Sequence, residues 1–125
     1  MPRKKKTDDI ASLTEVIVES ILNKKGKEPV IMDFSKMNNG ICDAFIICHG
    51  TSRPQVEALA TSVIEDVKKK KGLNVFHKEG FENAEWILID YNEIIVHIFQ
   101  ESRRTFYNLE QLWADTKITR VKSHE

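Results

Sequence analysis

Four features of this chain have residue types suited to catalysis, metal binding or phosphate binding: His97, Asp90, the set Cys42, Cys48 and His49, and the turn Gly50-Thr51-Ser52. His97 lies between Val96 and Ile98, and the sequence places no nucleophile or second base beside it. A strand histidine in that setting is first a packed or hydrogen-bonded residue and only then a general acid or base. Cys42, Cys48 and His49 lack the C-x₂₋₄-C spacing on which structural zinc draws. In an extended segment the two thiols stand about 20 Å apart, at ~3.3 Å per residue, too far for a disulfide. They read as small hydrophobes of a cytoplasmic protein. Gly50-Thr51-Ser52 has the position of a phosphate-binding turn, since amides at a helix N-terminus attract anions. One glycine falls short of G-x-x-x-x-G-K-[ST] or G-x-G-x-x-G, and an ordinary strand-to-helix turn with an N-cap accounts for it. A nucleotidyl-transfer reaction would need paired carboxylates to hold magnesium against phosphates. No Asp-x-Asp follows the turn, and Asp90 has no acidic residue two positions away. No catalytic residue, cofactor or metal is therefore expected, and a nucleotide-binding enzyme is the alternative reading.

The elements that would position these residues are clearest between Trp86 and Trp113, where two short strands precede an amphipathic helix. If Asn92-Glu93 is a two-residue turn, the opposed pairs are Tyr91/Ile94, Asp90/Ile95, Ile89/Val96, Leu88/His97, Ile87/Ile98 and Trp86/Phe99. Alternation sorts them into two faces. Ile87, Ile89, Tyr91, Ile94, Val96 and Ile98 make a nearly aliphatic face that belongs against a core. Trp86, Leu88, Asp90, Ile95, His97 and Phe99 make a mixed face, the better place for function. A type I′ turn wants positive φ at both central residues, which suits Asn92 better than Glu93.

Upstream, a helix is expected from about Thr7 or Asp8, either able to cap it, to about Lys25, with Gly26 as its stop. Pro29 to Phe34 reads as a strand with Pro29 at its first position, and Asn38-Asn39-Gly40 as a turn. Asp43 to Cys48, apolar on both faces, reads as a central strand. A second helix begins near Ser52 with Pro54 in its first turn and closes at Lys68–Lys71 and Gly72. Val75 to Lys78 reads as a short strand. In the last helix, Phe106, Leu109, Leu112 and Trp113 are expected to face inward. The result is an α/β (α+β) fold: a mixed β-sheet of about five strands flanked by helices, with parallel pairing where the second helix crosses over. The domain is expected over 8–115, with a basic tail at 1–7 and a loose polar tail at 116–125.

The 125 residues suffice for one modest core, and 41% hydrophobic with 30% charged residues is ordinary for a soluble protein. A net charge of zero excludes a nucleic-acid binder that relies on a broad basic surface. The runs at Arg3–Lys6 and Lys68–Lys71 read as a solubilising tail and a helix-dipole complement, with weak contact to ribosomal RNA or another polyanion as a secondary role. No apolar run approaches bilayer length and no signal segment is present, so no membrane association and a cytoplasmic location are expected.

Four segments, taken in order, resemble a known family. They are Asp43-Ala44-Phe45-Ile46-Ile47-Cys48-His49-Gly50-Thr51-Ser52, Trp86-Ile87-Leu88-Ile89-Asp90-Tyr91, Val96-His97-Ile98-Phe99 and Phe106-Tyr107-Asn108-Leu109-Glu110-Gln111-Leu112-Trp113. Together they resemble the Iojap-like ribosomal silencing factors (RsfS), over roughly Ile10 to Trp113. The resemblance implies a nucleotidyltransferase-like fold without catalytic residues. It also implies binding to the large ribosomal subunit through ribosomal protein uL-fourteen. There the protein would block subunit joining and repress translation when nutrients are short. The family's interface positions match Trp86, Asp90, His97, Tyr107 and Trp113, with Leu88 and Arg103 as neighbours. Trp86, Asp90 and His97 all fall on the mixed face. The family's usual Gly-Asp turn is Asn92-Glu93 here. A monomer or homodimer fits the sequence, and a dimer would bury the mixed face in self-association.

Overall fold

The computed structural model describes residues 6–36 and 42–122. Residues 1–5 of the expected basic tail, the capping side chains of Thr7 and Asp8, and the Asn38-Asn39-Gly40 turn lie outside the described residues, whereas the backbone of Lys6 and Thr7, expected in the tail, belongs to the first helix. Helix α1 (Lys6–Asn23) turns its apolar stripe inward, so that Ile17 and Ile21 are fully buried and Leu13 nearly so. Strands β1 (Lys27–Asp33) and β2 (Ala44–Gly50) follow as an antiparallel pair. Pro29 is the third residue of β1, beside a shift in pairing register between Lys27 and Val30.

Helix α2 (Arg53–Lys71) starts at Ser52, whose Oγ accepts from the Gln55 amide. It stops at Gly72, where φ is 67° and the glycine amide donates to the Lys68 carbonyl. Strands β3 (His77–Glu79), β4 (Trp86–Asp90) and β5 (Ile94–Gln100) come next. The expected final helix is broken in two, α3 (Glu101–Tyr107) and α4 (Leu109–Leu112), before β6 (Lys117–Arg120).

The sheet order is β3-β4-β5-β2-β1-β6. Among the described strands the only parallel pair is β2 with β5, so the crossover takes in β3 and β4 as well as α2. β2, at the centre, is buried at every position. A further correction to the expected architecture concerns the C-terminus. Residues 117–120 are a sixth strand paired antiparallel with β1, where a loose tail was expected. They escape sequence reading because an edge strand buries little, here only part of Ile118.

Helices α1 and α2 cover one face of the sheet, joined by a buried Ser20–Ser62 hydrogen bond of 2.8 Å. Between them and the sheet lies the main core, which includes all six residues of the aliphatic hairpin face. The opposite face carries a smaller core of Val30, Met32, Phe34, Phe45, Ile47 and Phe99, against which Leu109, Trp113 and Ile118 pack. That cover stops short of β4. Leu88, Asp90 and Ile95 therefore remain partly exposed on a stretch of sheet that no helix among the described residues crosses.

Candidate functional site

The hairpin places the site, and its register is the expected one: Trp86↔Phe99, Ile87↔Ile98, Leu88↔His97, Ile89↔Val96 and Asp90↔Ile95. The turn resolves the difficulty with Glu93. Of the two turn residues only Asn92 has positive φ, at 72°, and the Glu93 amide closes back onto the Tyr91 carbonyl at 2.9 Å. Asp90 contributes to that turn, since its Oδ1 accepts from the Asn92 amide at 2.7 Å. One carboxylate oxygen thus braces the hairpin tip while the side chain stays partly exposed on the open face.

Trp86 is the hub of the face. Its ring stacks on Phe99 with centroids 5.0 Å apart and meets Tyr107 of α3, tilted by 46°, at 4.7 Å. Its Nε1–H donates to His97 Nδ1 at 3.0 Å. That bond sets the tautomer, because an accepting Nδ1 leaves the proton on Nε2. Nε2 is buried without a hydrogen-bond partner among the described residues. Burial pushes the His97 pKa down to about 4, so the ring is neutral at physiological pH. At 4% exposure His97 lies beneath the surface and orients the indole from below.

Glycine is required nearby at Gly80, where φ is 91° and a Cβ would collide with the Trp86 carbonyl. Ahead of Trp86, Glu85 pairs with Arg103 of α3 at 2.8 Å, both side chains nearly half exposed. Such a pair contributes little to stability, up to about 1 kcal/mol. It does bring Arg103 to the margin of the aromatic cluster.

The structure therefore unites Trp86, His97 and Tyr107 in contact, with Leu88 and Asp90 on the same uncovered face and Arg103 at its rim. Trp113 stands apart. It packs edge-on against Phe34 at 5.2 Å and Phe45 at 6.4 Å, and it reaches the cluster only through Phe45 and His97.

Phe106 and Leu112, expected to face inward, are 73% and 70% exposed. The reason is Asn108, whose φ of 47° ends α3 and starts α4 on a new axis, so one helical period does not run through both. Phe106 abuts Tyr107 at 5.1 Å and continues the aromatic surface outward. An asparagine at that point, a residue that tolerates left-handed backbone, was the available signal.

Sequence reasoning also passed over Arg104, which is buried and braces the site from behind. Its guanidinium donates to His49 Nδ1 at 2.9 Å, to the Lys27 carbonyl at 3.3 Å and to both Glu110 oxygens at 3.3 Å. The arrangement ties α3 to β1, β2 and α4. Burial first, and then the Arg104 charge, lower the His49 pKa.

At the glycine turn, local groups occupy what an anion would need. Gln55 Oε1 accepts from the Thr51 amide at 2.8 Å, and Ser52 Oγ takes the Gln55 amide. Among the described residues no group of three or more His, Cys, Asp or Glu is placed to hold a metal ion. Burial raises the thiols of Cys42 and Cys48 to about 11 and about 12, so neither is a ready thiolate.

The sequence profile of the family described as "Ribosomal silencing factor during starvation" (RsfS) matches residues 7–125. The chain belongs to the RsfS family. Relatives named "Ribosomal silencing factor RsfS" include one from Halalkalibacterium halodurans, 37% identical over 103 residues that cover 82% of this chain and 86% of the relative. Another, from Haemophilus influenzae, is 41% identical over 103 residues, 82% of this chain and 99% of the relative. A crystal structure of a Chromobacterium violaceum protein superimposes with a TM-score of 0.79 at 31% identity, covering 93% of this chain and 96% of that one. The mixed sheet with flanking helices is thus the fold shared with that protein. The RsfS relatives bear the name of a silencing factor and not of an enzyme.

Proposed function

We propose that this RsfS-family protein binds the large ribosomal subunit through ribosomal protein uL-fourteen, using the face of Trp86, Leu88, Asp90, Arg103 and Tyr107. Occupying that surface sterically blocks joining of the small subunit and represses translation in the cytoplasm under nutrient limitation. The observation that carries this reading is the uncovered aromatic face. α1 and α2 bury one side of the sheet, whereas on the other side Trp86, Leu88 and Asp90 stay partly exposed beside Tyr107, itself 44% exposed. Rigid rings with few rotatable bonds give apolar contact at low entropic cost, and they dominate binding energy at many interfaces. Asp90 offers a carboxylate to a cationic side chain of the partner. His97 serves the interface by holding the indole in one orientation, and Trp113 by fixing the end of α4 over the smaller core. No bond is made or broken; silencing needs only an occupied surface.

The test is Trp86→Ala. Circular dichroism is expected to stay that of the parent, because the ring lies outside the main core, while co-sedimentation with purified large subunits weakens. Loss of a central aromatic anchor costs about 2 kcal/mol or more, roughly thirtyfold in affinity. A folded variant that sediments like the parent would falsify the assigned face.

A further inference from the structure

The short edge strand β3 pairs with β4 as His77↔Asp90, Lys78↔Ile89 and Glu79↔Leu88. Opposed residues of an antiparallel pair project to the same side of the sheet. His77 and Glu79 therefore share the open side with Leu88 and Asp90, and Lys78 belongs to the helix-covered side. Two contacts agree with that sorting. His77 Nε2 lies 3.0 Å from Glu79 Oε1, and Lys78 Nζ sits 5.3 Å from the ring centre of Phe81, which packs on the main core. The uncovered face thus runs past Leu88 and Asp90 to the edge of the sheet, where it ends on two exposed side chains, His77 and Glu79.

Leu88, Asp90, His77 and Glu79 are the corners of one square, with the two carboxylates on a diagonal. Diagonal neighbours across two strands stand about 7–8 Å apart. Neither carboxylate is neutralised by a basic side chain of the fold. Glu57, Glu85 and Glu110 each pair with an arginine, whereas among the described residues no lysine or arginine pairs with Asp90 or Glu79. Asp90 commits Oδ1 to the Asn92 amide and Glu79 turns Oε1 to His77, so each keeps an oxygen for a partner. Two carboxylates on an uncovered face repel a nucleic-acid backbone and suit a basic side chain. A guanidinium fits the square best. Its N–H groups fan out in one plane toward both carboxylates, and its methylene stem can lie on Leu88.

We infer that β3 is the acidic margin of the partner face, and that Glu79 and Asp90 together receive a basic side chain of the docked protein, an arginine laid across Leu88. The inference rests on the uL-fourteen reading above and adds to it a residue, Glu79, and the chemistry that it selects. A charge pair at a rim acts mainly on encounter and on the choice of partner, so the margin orients docking that the aromatic face holds.

The experiment measures the affinity of the full chain for isolated uL-fourteen at about 0.1 M and about 1 M salt, between which the screening length falls from about 10 Å to about 3 Å. Glu79→Gln keeps the shape and removes the charge, and it is expected to lose about fivefold at the lower salt. Glu79→Lys loses about tenfold or more, because it sets a like charge before the arginine. At the higher salt both converge on the parent. Their melting temperatures stay at the parent's, since the side chain is exposed. Trp86→Ala loses affinity at both salts. Parent-like affinity of both Glu79 variants at the lower salt, with Trp86→Ala weakened, overturns the acidic margin and leaves the uL-fourteen reading standing. A loss in the Glu79 variants that is equal at both salts also overturns it, because the contact would then be one of shape and not of charge. Parent-like affinity in Trp86→Ala beside a salt-dependent loss in the Glu79 variants overturns the aromatic face and keeps the acidic margin.

Discussion

His97 is where chemistry and packing compete most directly. It is a neutral, buried imidazole with one nitrogen accepting from Trp86 and the other without a partner among the described residues. Its folded pKa, about 4, lies below the ordinary 6.5, so the native state favours the unprotonated ring. The unfolded chain therefore takes up the proton first as pH falls. The stability linked to His97 is fully present above pH 6.5 and is lost between about 6.5 and 4, a change on the order of 3 kcal/mol. Urea unfolding at a series of pH values should show that decline, and His97→Phe should flatten it. A parent and variant with the same pH slope would show that the decline comes from other groups. Tryptophan emission at neutral pH supplies a separate readout, because the variant also frees the Trp86 indole N–H.

At the scale of elements, the hairpin was legible because a period of two leaves little choice. Once Asn92 is taken as the turn, every pair and both faces follow, and Ile87 to Ile98 fall into the core as the alternation requires. The terminal helix was harder to read. Its apolar residues Phe106, Leu109, Leu112 and Trp113 suit one continuous stripe, and the backbone at Asn108 breaks it. That residue decides which rings face the partner, since α3 must end with Tyr107 against Trp86 for the cluster to form. Asn108→Gly should be tolerated, whereas Asn108→Val forces a β-branched residue into left-handed backbone at a cost of about 1–2 kcal/mol. Thermal unfolding should rank glycine at or near the parent and valine below it. Equal melting temperatures for the two variants would mean that the left-handed conformation carries no such cost. The buried Arg104 was illegible for a different reason: nothing in the local pattern separates it from Arg103, yet one pairs with Glu85 at the surface and the other spans four elements.

For the molecule as a whole, the sixth strand alters what counts as the domain. Without β6, the outer edge of β1 would present unpaired backbone from Val30 to Asp33, a stretch that holds the fully buried Met32. Removing residues 117–125 should therefore cost on the order of 2–4 kcal/mol from lost pairing and apolar cover, seen as a lower melting temperature. It should also raise scattered light at high concentration as edges associate. A truncated chain with the parent's melting temperature would show that β6 adds nothing. The same pairing joins the first strand made during synthesis to the last. β2 can dock on β1 early, but β1 has no outer neighbour until Lys117–Arg120 have been translated and have cleared the exit tunnel. Among the described strands, the outer edge of β1 is thus the last to be closed as the chain emerges.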